Sequence, residues 1–288
     1  MNLIQLKYFM AVAEYGNISL ASEYLNVSQP TLSSAIKELE KEFGVTLFKR
    51  HHRGVALTEE GEILFKRGGE LLIKAEETVN IMHDLGKKRK SLKLGVPPMI
   101  ASLILPKIFE GFFEKNPDIL PAIREGGGEE LFAKLSEGSV DMIFVPHNRP
   151  VESGYSSIEL NQMETVLCMS RENTLSKEKI IEASLLKDRE LVLFNNSFFQ
   201  TAEIKKWFAN DGVTPNIFLQ TEQLSTLFAI VSTTNSVGFA FKELVKERED
   251  IVYKSLSPGL FSRVSLVWRK ESYMSDTMKK FREFIKEM

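Results

Sequence analysis

Two short amphipathic patterns separated by a three-residue turn constrain this chain more than any other feature. Leu20, Ala21, Tyr24 and Leu25 form the first, and Leu32, Ala35, Ile36, Leu39 and Phe43 form the second. Both recur at helical spacing, so two helices with one buried face each are expected. Asn26 in the turn suits a left-handed backbone. Ser28 is a good N-cap, Pro30 falls in the first turn where its missing N–H costs little, and Gly44 stops the helix. A further helix precedes them, with Leu3, Leu6, Phe9, Met10 and Ala13 on one face. Gly16-Asn17 closes it, and Asn17 or Ser19 can cap its successor.

After Gly44 the period changes. Val45 to Thr58 shows two short β-like runs around His51-His52-Arg53-Gly54, a hairpin signal. Thr58 then caps a long helix to about Leu85, with Glu59 and Glu60 at its positive end. Leu64, Leu71, Leu72, Ala75, Val79, Met82 and Leu85 give it a stripe of near-heptad spacing, which calls for a partner helix. Gly68-Gly69 interrupts the stripe, so a kink or a close helix crossing is expected there.

The solvent face of the Ser28–Phe43 helix begins with Gln29, Thr31, Ser33, Ser34 and Lys37, short polar groups and one cation. In a helix-turn-helix the N-terminal half of the second helix enters the major groove and reads base edges. Ser19, at the start of the preceding helix, is placed to meet phosphate. Lys49, Arg50 and Arg53 lie on the hairpin, where cations meet phosphate or the minor groove. Glu38, Glu40 and Glu42 come late in the helix and are expected to point away. Residues 1–58 hold six Lys/Arg against five Glu, a net charge of +1, so placement rather than bulk charge carries this reading.

The segment closely resembles the DNA-binding domain of LysR-type transcriptional regulators. Ala21, Leu25, Val27-Ser28-Gln29-Pro30, Ser33, Ile36, Leu39-Glu40, Gly44, Leu47-Phe48, Arg50, Arg53-Gly54, Leu57-Thr58 and Gly61 carry the likeness. It implies a winged helix-turn-helix over 1–58 and a linker helix over 59–88 that pairs with a second subunit. It further implies that Gln29, Pro30, Thr31, Ser33, Ser34 and Lys37 face DNA, with Arg50 and Arg53 in the wing. Ser22 and Ser34 depart from the residues common in the family, and the glycine pair is unusual in its linker helix.

From Leu92 the pattern alternates between strands and helices. A helix is expected over Ile100–Lys115. Strands are expected near 119–125, 141–145, 165–170, 190–194, 216–220, 237–240 and 263–269, and a last helix over about 275–287. These are α/β units with largely parallel sheets. Residues 89–288 resemble, more loosely, the family's effector domain, which is similar to periplasmic solute-binding proteins. Two α/β lobes joined by crossing strands follow, with lobe I at about 91–161 plus 266–288 and lobe II at about 162–265. The expected fold is therefore multidomain.

Ligands of open α/β sheets bind beyond the carboxyl ends of strands. The turns read there are Pro98, Met99, Ile100, Ala101 and Ser102; Gly127 and Gly128; His147; Asn195, Asn196 and Ser197; and Asn235, beside what is usually a glycine-rich turn. Helix starts, glycine N–H groups and Asn/Ser side chains suit a small organic anion. The triple glycine lacks the Lys-Ser/Thr ending of a P-loop.

A lone Cys168, in an apolar run, rules out an intrachain disulfide and reads as a core residue. No apolar stretch approaches a membrane span, and no signal peptide is recognisable, so a cytoplasmic protein is expected. His51, His52, His83 and His147 lack metal spacing, and no catalytic grouping stands out, so neither an enzyme nor a cofactor is expected. The expected partners are double-stranded DNA, a small-molecule effector, RNA polymerase and further copies of the chain, as a dimer through the linker helix and then a tetramer. The competing readings are an enzyme with a DNA-binding appendage and a ligand-independent DNA binder.

Overall fold

The computed structural model describes residues 1–51, 54–86 and 90–288; the side chains of Arg50, Glu77, Asn80, His83, Asp84 and Leu85 lie outside that description. The chain divides into two compact units, Met1–Met82 and His83–Met288.

The first unit opens with α1 (Leu3–Tyr15), whose N-cap Asn2 forms a reciprocal capping box with Gln5. Gly16, at φ +58°, ends it in the left-handed conformation. Asn17 caps α2 (Ile18–Tyr24), and Asn26, at φ +52°, makes the turn. Ser28 caps α3 (Gln29–Phe43), with Pro30 in its first turn and Gly44 at its end. The caps expected from the sequence thus sit at the helix ends because each is a short-range decision. β1 (Phe48–His51) and β2 (Gly54–Leu57) pair antiparallel, Phe48 opposite Leu57. The N–H of Val55 donates to the carbonyl of Gly16 at 2.8 Å, tying the hairpin to the turn after α1.

Leu6, Phe9, Ile36, Leu39 and Leu47 are buried together, with the tilted ring of Phe48 centred 5.2 Å from that of Phe9. α4 (Glu59–Leu85) packs Leu64, Phe65 and Leu72 on the same core. Thr58 caps it, accepting from the N–H of Gly61 at 2.9 Å. Gly68 marks a close crossing: a Cβ there would lie 2.6 Å from Cδ1 of Leu6. The linker stripe therefore splits. Leu64 and Leu72 are used within the chain, while Leu71, Val79 and Met82 are exposed.

The second unit begins with β3 (Lys90–Val96) and α5 (Pro98–Ile108). The helix expected over Ile100–Lys115 changes to a wider π turn at Phe109–Phe113, just past Pro106, which cannot donate within the helix. β4 (Ile119–Glu125), α6 (Gly128–Ser136), β5 (Met142–His147) and β6 (Tyr155–Ser170) follow. Next come β7 (Ile181–Glu182), β8 (Glu190–Phe194), α7 (Phe199–Asn210), β9 (Asn216–Thr221), α8 (Leu224–Thr233) and β10 (Val237–Phe241). The chain closes with α9 (Lys242–Val245), β11 (Ile251–Arg269) and α10 (Asp276–Glu287).

The strand order is β4-β3-β5-β11-β6-β10-β8-β9. Within each end the strands run parallel, but β6 and β11 pair antiparallel with each other, β6 with β10 and β11 with β5, while the short β7 pairs parallel with β11. The sheet is therefore mixed rather than largely parallel. Only the buried halves of the two long strands were legible, because 155–162 alternate exposed polar residues and 257–259 read Ser-Pro-Gly. These strands run through both lobes. Arg263 already pairs with His147 of β5, so β11 enters the first lobe ahead of residue 266, the boundary read from the sequence. At the crossover, Glu164 of β6 accepts from Lys242 at 2.7 Å and from Ser255 of β11 at 2.6 Å. Cys168 is fully buried on β6, and burial pushes its thiol up to about 12.

Candidate DNA interface and effector slot

The two faces of α3 have different fates. Leu32, Ala35, Ile36 and Leu39 are buried, while Gln29, Pro30, Thr31, Ser34 and Lys37 are exposed and Ser33 is half-buried. The three late glutamates are held elsewhere. Glu38 accepts from Gln5 at 3.0 Å, Glu42 pairs with the Met1 amino group, and Glu40 accepts from the N–H of Leu47 at 2.8 Å. Glu40 thus anchors the start of the wing to the recognition helix, a role the sequence reading did not foresee. The exposed N-terminal half of α3 presents neutral polar groups and one cation, without a carboxylate among them.

Some of the expected contacts are partly committed inside the chain. The Thr31 hydroxyl lies 2.7 Å from that of Ser28, which also caps the Thr31 N–H. The Ser19 N–H donates to Asn17 at 2.8 Å, and its hydroxyl has no partner among the described residues. Lys49 is exposed on β1. Arg53 and the side chain of Arg50 lie outside the described residues.

In the second unit, the carboxyl ends of β3, β5, β8 and β10 and the starts of α5, α6 and α7 converge on one narrow slot. Its cavity volume is about 20 Å³, close to the room one water needs. The first lobe supplies Pro97 to Ile100, Gly128 and Pro146; the second supplies Phe194, Phe198, Phe199, Gln200 and Phe241. The lobes touch here: a Cβ on Gly127 would lie 2.4 Å from Oγ and 2.5 Å from the carbonyl oxygen of Ser197. Beside the slot, sharing Gly128, Pro146, Phe198 and Phe199 with it, is a vestibule of about 730 Å³. Phe132, His147, Tyr155, Asn196 and Lys206 are among its walls.

Pro98, Met99, Ile100 and Gly128 line the slot, as read from the sequence, and Gly127 is the interlobe contact beside it. Ala101 is buried behind them, and Ser102 donates to the carbonyl of Pro98 and faces a separate cavity. The polar turn residues are not slot ligands. Asn195 accepts from the N–H and hydroxyl of Ser197 and donates to Glu222, while Asn196 accepts from Lys205 and Gln220. His147 is likewise spent, one ring nitrogen 2.8 Å from the carbonyl of Arg149 and the other 2.8 Å from the Ser265 hydroxyl. Its ring lines the vestibule without a free nitrogen.

Asn235 lies away from the slot. It precedes β10, at the opposite end of that strand from Phe241, and its carbonyl accepts from Asn173. Phe194, Phe198, Gln200 and Phe241 line the slot and are not among the turn residues read from the sequence. Their positions at strand ends and in the first turn of a helix carried the signal; their apolar character masked it. Among the described residues no group of His, Cys, Asp and Glu is placed to hold a metal ion, and no helix is long and apolar enough to cross a membrane.

A winged helix-turn-helix joined to a two-lobed α/β domain with a slot between its lobes is the architecture of a ligand-responsive transcription regulator. The comparisons agree. Residues 3–62 match the family model of bacterial regulatory helix-turn-helix proteins, lysR family, and residues 86–288 match that of the LysR substrate binding domain. The chain belongs to the LysR family of DNA-binding, effector-binding transcription regulators. It is similar to a Bacillus subtilis protein named "Uncharacterized HTH-type transcriptional regulator YwbI", 27% identical over 96% of this chain and 92% of that one. It is also similar to the HTH-type transcriptional regulator CzcR of Bacillus anthracis, 25% identical over 100% of this chain and 98% of that one. Among solved structures, full-length CbnR complexed with its target DNA has the same fold, with a TM-score of 0.64, 22% identity and coverage of 100% and 99%.

Proposed function

We propose that this regulator reads DNA through Gln29, Pro30, Thr31, Ser33, Ser34 and Lys37 of α3, with Ser19, Lys49, Arg50 and Arg53 on the flanking backbone. One observation carries the reading: α3 buries one face and leaves a carboxylate-free polar face at its N-terminal half. Short polar side chains there suit base edges, and the hairpin cations suit phosphate. We assign residues 1–58 to DNA reading, 59–88 to dimerisation and 89–288 to effector sensing. The exposed Leu71, Val79 and Met82 of α4 support pairing of that helix with a second copy, and dimers pair again into a tetramer. The protein works in the cytoplasm and meets RNA polymerase when bound.

The effector is a small organic anion held between the lobes. It acts by binding one lobe arrangement better than another, which changes how the paired subunits engage DNA. Footprinting of purified protein on genomic fragments tests this. Arg50→Ala weakens binding to every sequence and flattens the salt dependence by about one counterion. Gln29→Ala instead changes base preference at a few positions. If the two variants behave alike, α3 does not enter the groove as assigned.

A further inference from the structure

A side-chain hydrogen bond crosses the vestibule from one lobe to the other. Asn148, in the turn after β5 of the first lobe, donates from Nδ2 to Oε2 of Glu203 on α7 of the second lobe at 2.7 Å. Both residues line the vestibule, so the bond bridges the lobes across that cavity. Each partner is steadied by its own side. The other carboxylate oxygen of Glu203, Oε1, accepts from Lys206 at 2.6 Å, three residues further along α7. The Glu203 side chain is 14% exposed, so its charge is already drawn largely out of water and each donor it meets counts for more than in solvent.

On the facing side, His147 shapes the turn that presents Asn148. The carbonyl of Arg149 can only accept, so Nδ1 of the imidazole donates to it, and in the neutral ring Nε2 accepts from the Ser265 hydroxyl of β11. Arg263, also on β11, adds a long 3.5 Å bond to the Asn148 carbonyl. His147 is therefore a positioning residue for Asn148. The first lobe meets the α7 region twice, once where Gly127 packs against Ser197 just ahead of the helix and again at Glu203.

We infer that Asn148 and Glu203 form a clasp. Made, it holds the lobes closed over the vestibule; broken, it frees α7 from the first lobe and opens the cavity to exchange. This is a regulation of the cleft read above as the effector site, and it rests on that reading. The clasp pairs an amide donor with an ionised acceptor, so a change of charge at constant volume breaks it and a second such change restores it.

The test is hydrogen exchange of the full chain at pH 7, read by mass spectrometry on peptides 126–135 and 195–201, which carry neither substituted residue. Asn148→Asp sets a second carboxylate against Glu203, and both are ionised at this pH. Exchange in both peptides is expected to quicken about tenfold, the low end for a hydrogen bond to a charged group because Asn148 is exposed. Asn148→Asp combined with Glu203→Gln reverses donor and acceptor and returns exchange to within about threefold of the unaltered protein. Both changes keep side-chain size. Should Asn148→Asp not fold, Asn148→Ala removes the donor without adding charge and is expected to quicken exchange about threefold. Exchange unchanged by the single variants, or quickened by Asn148→Asp and not restored by the double variant, overturns the clasp. Protection of genomic fragments by the same proteins separates the two readings. Restorable exchange with unaltered DNA protection keeps the clasp and removes the proposed switch, whereas unresponsive exchange removes the clasp and leaves the switch standing.

Discussion

Gly127→Ala tests whether contact between the lobes governs the sensing domain. Gly127 has φ −74° and ψ 162°, an extended conformation that alanine adopts freely, so backbone preference contributes little. What alanine adds is a methyl group 2.5 Å from the Ser197 carbonyl oxygen, where ordinary contact begins near 3.4 Å. The lobes or the Ser197 turn must give by about 0.9 Å. Forcing a methyl into packed surroundings costs about 1–3 kcal/mol. If separation of the lobes relieves it, the closed arrangement loses about 5- to 150-fold in population relative to open ones. Hydrogen exchange measured by mass spectrometry on peptides covering 126–135 and 195–204 reads this as faster exchange by a similar factor. Gly128→Ala is the control, because a Cβ there meets nothing within 4 Å. If Gly127→Ala exchanges like the unaltered protein, the turn simply yields and the contact is no latch. If both variants exchange faster alike, the effect belongs to the glycine backbone rather than to the lobes.

Four further outcomes follow from the same geometry. Glu40→Ala leaves the Leu47 N–H without its carboxylate acceptor and costs about 1.5–3 kcal/mol, with Glu40→Gln losing less; calorimetric unfolding of the two variants checks this. Leu39→Ala, at a fully buried position of α3, costs about 2–5 kcal/mol in the same measurement. Burial raises the Glu164 carboxyl, but hydrogen bonds from Lys242 and Ser255 outweigh it and hold the carboxyl below the usual carboxylate range. That stability is present above the unfolded carboxylate's range and lost as pH falls through the folded value, so Lys242→Met should flatten the acid arm of stability against pH. With its thiol raised to about 12, Cys168 should react with a thiol reagent only on unfolding, and a fast reaction in native buffer would contradict its placement on β6.

The DNA-reading unit was legible because its decisions are local. Asn17, Ser28 and Gly44 cap or end helices within a few residues of where they stand, and the apolar spacing of Leu32, Ala35, Ile36 and Leu39 sets which face is buried. Glu40 was not legible, since its partner is the backbone of Leu47, across the turn and in another element. The crossing strands were half-legible. Burial rewards an apolar run such as 165–170, but 155–162 pair as β-structure with half their side chains in solvent, and only the partner strand supplies the reason. At the slot, polarity was the wrong guide. Asn195, Asn196 and Ser197 use their polar atoms to build their own turn, and the walls come from Phe198 to Gln200 directly after them. Asn235 fell to an error of strand direction, because cleft residues follow the carboxyl end of a strand and it precedes one.

Selection of binding sites from a pool of random duplexes, with the full chain and with Gln29→Ala side by side, tests the account most directly. The unaltered protein should enrich a dyad-symmetric site whose half-sites lie about one helical turn apart, and Gln29→Ala should keep the spacing while changing the preferred bases. Enrichment no better than chance, or an identical sequence preference from both proteins, would show that this face of α3 does not read DNA.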